Sequence, residues 1–284
     1  KGARFKTFTS LEEAKKAAQE ADAVILIVGT NSDWETEGND RADLGLPANQ
    51  DELVDAVLAE NKNTVVVINS GSPVSMPWED QSKAILQSWF GGQEYGNALM
   101  DILFGEVNPS GKLPTTFPKR IEDTPAFSCY PGENSQMDYE EKLLVGHRWY
   151  ERKNIKSLFP FGHGLSYTDF SYGDLEISVG DNADVVCRFN IENIGDMDGQ
   201  EVAQCYVSYE SSPSDEPIKS LQSFKKVLIE KQKKQEIEIH LNARNFSYWD
   251  VKDKDWKIRP GSYSIEIGSS SEKIELSETI TLGN

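Results

Sequence analysis

Residues 23–41 read Ala-Val-Ile-Leu-Ile-Val-Gly-Thr-Asn-Ser-Asp-Trp-Glu-Thr-Glu-Gly-Asn-Asp-Arg, and they indicate the fold class of the first half of the chain. Its first part is a short apolar run, rich in β-branched residues, that ends at Gly29. Such a run predicts a strand that is buried on both faces of a parallel sheet. Because ligands of open α/β sheets gather at the carboxyl ends of the strands, the residues after Gly29 are candidate site residues.

Several carboxyl groups crowd the second part of this stretch, around one tryptophan and one arginine. A carboxyl group beside an indole and partly out of water could stay protonated near neutral pH, and it would then serve as a general acid. The alternative is a solvated acidic loop without a function, and composition alone favours that alternative. Spacing does not choose among the carboxyl groups, which belong to Asp33, Glu35, Glu37 and Asp40, with Trp34 and Arg41 as their neighbours.

Helix and strand patterns alternate on both sides of this stretch. A capping box at residues 10–13 predicts a helix through about Ala21, and Asn49 is the predicted cap of a second helix. The apolar run at residues 64–68 predicts the next strand, and a third strand and helix follow within residues 84–105. This order predicts parallel strands with helices on both faces of an α/β sheet.

The predicted sheet is small for a domain of this class. About three or four strands can be counted, whereas a typical sheet has five or six. A buried parallel strand without a neighbour leaves backbone donors and acceptors unpaired. The α/β sheet is therefore predicted to be incomplete, with the remaining strands supplied by another segment. The chain does not begin with Met, so we expect it to be processed or to be a piece of a longer protein.

The second half of the chain changes from helical periodicity to a period of two. From Phe170 onward apolar and polar residues alternate, as they do at Val185, Cys187 and Phe189. About seven short strands separated by turns predict an immunoglobulin-like or fibronectin type III-like sandwich. Cys187 and Cys205 both fall on inward positions, which favours buried free thiols and leaves a disulfide between them open.

Composition narrows the range of partners. The length of 284 residues favours two domains, and the formal net charge is −18 with a pI near 4.6. Such an acidic chain repels phosphates, which argues against nucleic acid and anionic membranes as partners. No apolar run is long enough to cross a bilayer. The cysteines and histidines show no metal-ligand spacing, so neither a metal nor a cofactor is predicted.

Five motifs occupy residues 36–41 (Thr-Glu-Gly-Asn-Asp-Arg), 69–73 (Asn-Ser-Gly-Ser-Pro), 91–98 (Gly-Gly-Gln-Glu-Tyr-Gly-Asn-Ala), 108–118 (Asn-Pro-Ser-Gly-Lys-Leu-Pro-Thr-Thr-Phe-Pro) and 159–168 (Phe-Pro-Phe-Gly-His-Gly-Leu-Ser-Tyr-Thr). In this order they resemble the carboxyl-terminal half of the glycoside hydrolase family 3 β-glucosidases. The resemblance implies an α/β sandwich domain followed by a fibronectin type III-like domain. We expect a partial α/β domain over residues 1–120, an aromatic-rich connector over 121–168 and the β-sandwich over 169–284.

The resemblance also implies which residues carry the chemistry. Glu37 matches the general acid/base of the family motif Glu-Gly-x-Asp-Arg, while Asp40 and Arg41 complete the motif as a buttressing ion pair. Trp34 either borders the sugar site or packs the loop. The nucleophile of such enzymes is an Asp in an amino-terminal (β/α)₈ barrel, which nothing in this sequence resembles. We therefore expect part of a retaining β-glucosidase, acting on β-glucosides or oligosaccharides, that is inactive as this chain alone.

We hypothesise that cleavage near a lectin-like insert leaves the chain attached non-covalently to an amino-terminal piece. The competing function is a non-catalytic carbohydrate-binding or interaction module. A nucleotide-binding site is a poor fit, because Gly29, Gly91 and Gly92 form no phosphate-binding fingerprint. His163 stands where the family motif usually has Tyr, and we interpret it as a tolerated turn or interface substitution.

Overall fold

The computed structural model describes residues 10–134 and 136–283. The chain divides into two compact units. The first comprises Lys1–Met100 and Pro118–Ile121, and the second comprises Asp101–Phe117 and Glu122–Asn284. The fold class is confirmed: a parallel sheet with helices comes first, and antiparallel strands consistent with a fibronectin type III-like sandwich follow.

The first unit is built on a three-stranded parallel sheet in the order β1-β2-β3. The first helix begins where the sequence predicts, because the Ser10 hydroxyl accepts a hydrogen bond from the Glu13 amide at 3.3 Å. The elements are α1 (Leu11–Gln19), β1 (Val24–Gly29), α2 (Gln50–Glu60), β2 (Thr64–Asn69), β3 (Ala84–Gln87) and α3 (Tyr95–Leu103), of which residues 95–100 belong to this unit.

The strand β1 is not buried on both faces, which corrects the prediction made for it. Val24 and Leu26 pack against the cluster of small and branched residues from α1 and α2, but Ile25 and Ile27 are 43% and 49% exposed. The reason is that, among the described residues, α1 and α2 cover only the face of β1 that carries Val24 and Leu26. The central strand β2 does fit the prediction, since Val66, Val67 and Ile68 are fully buried.

The start of α2 also differs from the prediction. Asn49 lies next to the helix with φ −97° and ψ 25°, and its side chain makes no capping hydrogen bond. A capping side chain requires an extended backbone, which Asn49 does not have. The side chains of Gln50 and Asp51 instead tie the helix to other elements. Gln50 pairs with both backbone groups of Gly29 at 2.8 Å, and Asp51 accepts the indole proton of buried Trp78 at 2.8 Å.

The second unit is an antiparallel sandwich that follows one short helix, α4 (His147–Lys153). One sheet has the strand order β12-β11-β6-β7 and the other β4-β5-β8, while β9 and β10 form a separate two-stranded ribbon. Strand β5 shows the predicted alternation, and Cys187 and Cys205 are buried free thiols. The strands are β4 (Phe170–Val179), β5 (Val185–Asn193), β6 (Gly199–Tyr209), β7 (Lys219–Ile229), β8 (Lys234–Leu241), β9 (Ser247–Asp250), β10 (Asp255–Ile258), β11 (Gly261–Gly268) and β12 (Ile274–Leu282).

Strand β6 is buried on its outer face as well, which simple alternation does not predict. The segment before the sandwich covers that face. The Gln204 side chain donates to the Gly162 carbonyl at 3.0 Å and accepts from the Tyr206 hydroxyl at 2.6 Å. The His147 ring stacks on Phe161 and meets Tyr206 edge-on. In the same segment His163 stacks on Phe159 at 5.4 Å, and burial lowers the pKa of its imidazole.

One carboxyl group on α4 is buried without a hydrogen-bond partner among the described residues. Both side-chain oxygens of Glu151 are inaccessible and accept no hydrogen bond within the part of the chain that the structure describes. Burial raises the pKa of Glu151 to about 7; Lys219 and Arg148 oppose the shift, and Glu266 and Glu272 add to it. A carboxyl group with a raised folded-state pKa favours its neutral form, so the folded state loses stability as the pH rises from about 4.5 to about 7.

Glu151→Gln should therefore stabilise the protein more at high pH than at low pH. Because one pKa unit corresponds to about 1.4 kcal/mol, we expect the gain in unfolding free energy at pH 8 to exceed the gain at pH 5 by about 2 kcal/mol. Urea unfolding of wild type and variant at both pH values measures this difference. The matched control is Glu236→Gln, which removes an exposed carboxyl group. An equal gain at both pH values for Glu151→Gln would contradict the prediction.

Candidate active site

The candidate site lies in the first unit, where β1 and β2 end side by side. The two strands approach so closely that a Cβ atom on Gly29 would lie 2.1 Å from the carbonyl oxygen of Asn69. The Thr30 amide then donates to that same carbonyl at 3.0 Å. The acidic loop, residues 30–46, therefore leaves β1 directly beside the residues that follow β2.

A tight turn opens the acidic loop. The Asn31 side-chain oxygen accepts from the amides of Asp33 and Trp34 at 3.0 and 3.2 Å, and its backbone carbonyl accepts from the Glu35 amide at 2.8 Å. Asparagine side chains stabilise turns in this way by replacing a backbone acceptor. The turn brings the loop back toward the end of β2. The position of a carboxyl group in the loop therefore determines whether it can bind to the residues that follow β2.

Glu35 is the carboxyl group that the turn places at the end of β2. One of its oxygens accepts from the Thr30 hydroxyl at 2.5 Å and from the Gly71 amide at 3.0 Å. Its side chain is half-buried. Among the five carboxyl groups of the loop, Glu35 is therefore the one that is partly withdrawn from solvent.

Arg41 fastens the far side of the loop to the same segment after β2. Its guanidinium donates to the Ser72 hydroxyl at 2.8 Å and to the Pro73 carbonyl at 3.4 Å, and it lies 6.0 Å from the centre of the Trp34 ring. Burial lowers the pKa of Arg41, against the opposing charges of Glu35 and Asp43. Two of its nitrogens and the Trp34 indole nitrogen are buried without a hydrogen-bond partner in the described ranges.

The buttressing ion pair expected between Asp40 and Arg41 is not among the contacts of the described residues. Asp40 is exposed, whereas the Arg41 guanidinium is engaged with Ser72 and Pro73. The physical reason is that residues 72–73 offer a hydroxyl and a carbonyl to a half-buried guanidinium, so the exposed Asp40 is not its partner.

Glu37 has the opposite environment to Glu35. It is exposed and precedes Gly38, whose φ of +82° places it in the left-handed region that favours glycine. Across residues 10–134 and 136–283, its carboxyl group forms no hydrogen bond or ion pair. The structure thus brings Trp34, Glu35 and Arg41 together and leaves Glu37 and Asp40 open to solvent.

Sequence reasoning did not identify Thr30, Gly71 or Ser72 as site residues. The available signal was the motif Asn-Ser-Gly-Ser-Pro at residues 69–73, which directly follows a predicted strand. The described residues contain no group of three or more His, Cys, Asp or Glu side chains arranged to hold a metal ion. Among the described helices, none combines the length and the apolar character needed to cross a membrane.

Comparisons with known protein families cover most of the chain. The family model described as glycosyl hydrolase family 3 C-terminal domain matches residues 2–167, and the one described as fibronectin type III-like domain matches residues 201–271. Thermostable β-glucosidase B of Acetivibrio thermocellus is 42% identical over 96% of this chain and 37% of its own length. A probable β-glucosidase I of Aspergillus niger is 39% identical over 93% of this chain and 33% of its own length.

Solved structures show the same relationship. A GH3 β-glucosidase of Bifidobacterium adolescentis superposes with a TM-score of 0.92 at 39% identity, over 96% of this chain and 40% of that one. A β-glucosidase of Kluyveromyces marxianus in complex with glucose gives a TM-score of 0.92 at 38% identity, over 96% of this chain and 33% of that one. The chain thus spans between a third and two-fifths of the length of these proteins.

Replacement of Gly29 by Ala should separate the strand ends that hold the site. A Cβ atom 2.1 Å from the Asn69 carbonyl forces β1 and β2 apart. We expect an unfolding free energy lower by about 2 kcal/mol, as is typical of overpacked positions. Hydrogen exchange of the β1 and β2 amides measures the loss.

The matched control for this change is Gly96→Ala in α3, where a Cβ atom meets nothing within 4 Å. Because alanine is the better helix former, this control should be neutral or stabilise the helix by up to about 1 kcal/mol. Unchanged amide protection in Gly29→Ala would contradict the importance of the close approach.

Proposed function

This chain belongs to the glycosyl hydrolase family 3 C-terminal domain family, and from that premise we propose that it is the carboxyl-terminal portion of a retaining β-glucosidase. The whole enzyme would hydrolyse terminal, non-reducing β-D-glucosyl residues. The observation that carries the proposal is the acidic loop with Glu37, which stands at the carboxyl ends of β1 and β2 and is fastened there on both sides of Glu37.

In this proposal Glu37 is the general acid/base of a two-step hydrolysis. It first donates its proton to the departing glycosidic oxygen while an Asp in an amino-terminal (β/α)₈ barrel attacks the anomeric carbon. As a carboxylate it then takes a proton from the water that releases the sugar. Retaining hydrolysis needs two carboxyl groups about 5–5.5 Å apart across the scissile bond. This chain supplies one of them and is therefore inactive alone.

The exposure of Glu37 supports this role. A proton donor to a substrate held largely by another polypeptide segment has to be accessible from its own unit. Glu37 is accessible, and the contacts of Glu35 and Arg41 restrict the loop on either side of it. We assign Trp34 and Arg41 to organising the loop, because the Arg41 guanidinium lies near the Trp34 ring and reaches the Ser72 hydroxyl. Asp40, which is exposed like Glu37, would face the substrate side of the loop.

The apolar outer face of β1 supports the presence of an amino-terminal partner segment. Ile25 and Ile27 expose about half of their surface on a sheet whose other face is covered by α1 and α2. Apolar side chains of a buried parallel strand normally pack on both faces. In the proposed enzyme, polypeptide that precedes this chain covers this face, in line with the much greater length of the relatives.

Glu37→Gln in the full-length protein tests the role of Glu37. Loss of a positioned general acid slows the first step by about 10²–10⁴-fold for glycosides with poor leaving groups. Dinitrophenyl β-glucoside needs little protonation, so its first step should slow by less than about 10-fold. Single-turnover kinetics with an alkyl β-glucoside and with the dinitrophenyl glucoside measure the two rates directly.

The control for this experiment is Asp33→Asn, which removes an exposed carboxyl group from the same loop. It should leave both rates within about threefold of wild type, because the Asp33 backbone amide and not its carboxyl group takes part in the turn. Equal losses on both substrates in Glu37→Gln would count against an acid role. Tight binding of a glucose analogue by this chain alone would favour a carbohydrate-binding module.

A further inference from the structure

Glu35 joins three parts of the candidate site through a single oxygen atom. That oxygen accepts from the Thr30 hydroxyl, directly after β1, and from the Gly71 amide, directly after β2. Glu35 itself lies in the middle of the acidic loop, two residues before Glu37. One carboxylate therefore connects both strand ends to the part of the loop that carries the proposed acid.

The second oxygen of Glu35 occupies a place that only a glycine leaves open. A Cβ atom on Gly71 would lie 2.5 Å from this oxygen and 2.8 Å from a carbon of the Phe90 ring. The carboxylate and the Phe90 ring thus both pack against the backbone of residue 71. This close fit restricts the position of Glu35 beyond what its two hydrogen bonds require.

Charge makes these contacts strong. Hydrogen bonds to an ionised acceptor are about twice as strong as those between neutral groups. The negative charge of Glu35 also stabilises the charged form of the half-buried Arg41 against the effect of burial, which lowers the pKa of Arg41. Glu35 binds Gly71 and Arg41 binds Ser72, so the loop is fastened to two adjacent residues after β2. In the loop, Glu37 lies between these two anchoring side chains.

We propose that Glu35 is a positioning residue for the hydrolysis: by holding the acidic loop against Gly71 and Thr30, it places the Glu37 carboxyl group where it meets the glycosidic oxygen, without exchanging a proton with the substrate itself. A general acid works only within hydrogen-bond reach of its target, and a displacement of about 1 Å costs on the order of 100-fold in rate. This inference rests on the proposed function of Glu37.

The test compares Glu35→Ala, Glu35→Gln and Glu37→Ala in the full-length protein. Steady-state kinetics use an alkyl β-glucoside, and sodium azide is then added with dinitrophenyl β-glucoside as substrate. Azide attacks the anomeric carbon of the glycosyl-enzyme, and the enzyme's Asp leaves as a carboxylate. No base is needed for this attack, so azide restores turnover in a variant that lacks the acid/base.

We expect Glu35→Ala to lower kcat by about 10- to 100-fold with KM within about threefold, because the acid is present but displaced. Azide should not restore this variant, because the Glu37 carboxylate remains in the site and repels the azide anion. It should restore Glu37→Ala, in which that carboxylate is gone. Glu35→Gln keeps an oxygen that accepts from the Gly71 amide, so its kcat should stay within about fivefold of wild type. A loss confined to kcat, with recovery in the glutamine variant, is the signature of positioning.

A second measurement does not depend on activity. In the 284-residue chain, hydrogen exchange at the Gly71 amide should become about 10-fold faster in Glu35→Ala, since that amide loses its acceptor. Unchanged protection at Gly71 would overturn the inference. If Glu35→Ala fails to fold, Gly71→Ala is the alternative test, because its new Cβ atom displaces the Glu35 carboxylate. This variant should have a lower kcat that azide does not restore.

The other outcomes separate this inference from the proposed function. Wild-type kcat in Glu35→Ala, together with an inactive Glu37→Ala that azide restores, would overturn the positioning role and leave the role of Glu37 intact. Azide rescue of Glu35→Ala but not of Glu37→Ala would make Glu35 the acid/base and overturn both. Full activity in Glu37→Ala would overturn the proposed function and leave Glu35 with no acid to position.

Discussion

The close approach of β1 and β2 is the constraint on which the candidate site depends. Gly29 has no side chain, so the Asn69 carbonyl can lie against its backbone, and the Thr30 amide closes the contact. Parallel strands end at the same edge of a sheet, and here that edge carries the acidic loop on one side and residues 69–73 on the other. Gln50, at the start of α2, pairs with the same glycine and holds the end of β1 in place.

The acidic loop divides its carboxyl groups between structure and solvent. Glu35 accepts two hydrogen bonds and is half-buried, whereas Glu37 is exposed two residues further on. A side chain that is held by the fold is poorly suited to lend a proton to a substrate, and an exposed one on an anchored loop is well suited. Neighbouring carboxyl groups with different environments are a common way to give identical residue types different roles.

In the second unit, a buried polar side chain of the sandwich forms all the hydrogen bonds that it can. The fully buried Asn193 accepts from the Thr168 hydroxyl and the Gly195 amide and donates to the carbonyls of Met197 and Ile229. All four hydrogen-bonding positions of this amide are therefore used, as burial of a polar group demands. Glu151 is the contrasting case, since its buried carboxyl group has no such partners in the described part of the chain.

Sequence patterns alone determined the features that depend on near neighbours. These are the cap at Ser10, the parallel-sheet strands, the period-two strands of the sandwich and the position of an acidic loop directly after β1. Such features follow from residues a few positions apart, whose sterics and polarity select the local backbone. The choice of Glu37 among four carboxyl groups came from the motif it shares with a known family, not from spacing.

Other features join residues that are distant in the chain, and they are visible only in the folded structure. The burial of Gln204 and Tyr206, the exposure of Ile25 and the lack of a side-chain cap at Asn49 depend on which segments cover each element. The contact of Glu35 with Gly71 spans 36 positions in the chain. No local pattern encodes such a contact, because it exists only once parallel pairing has brought the ends of β1 and β2 together.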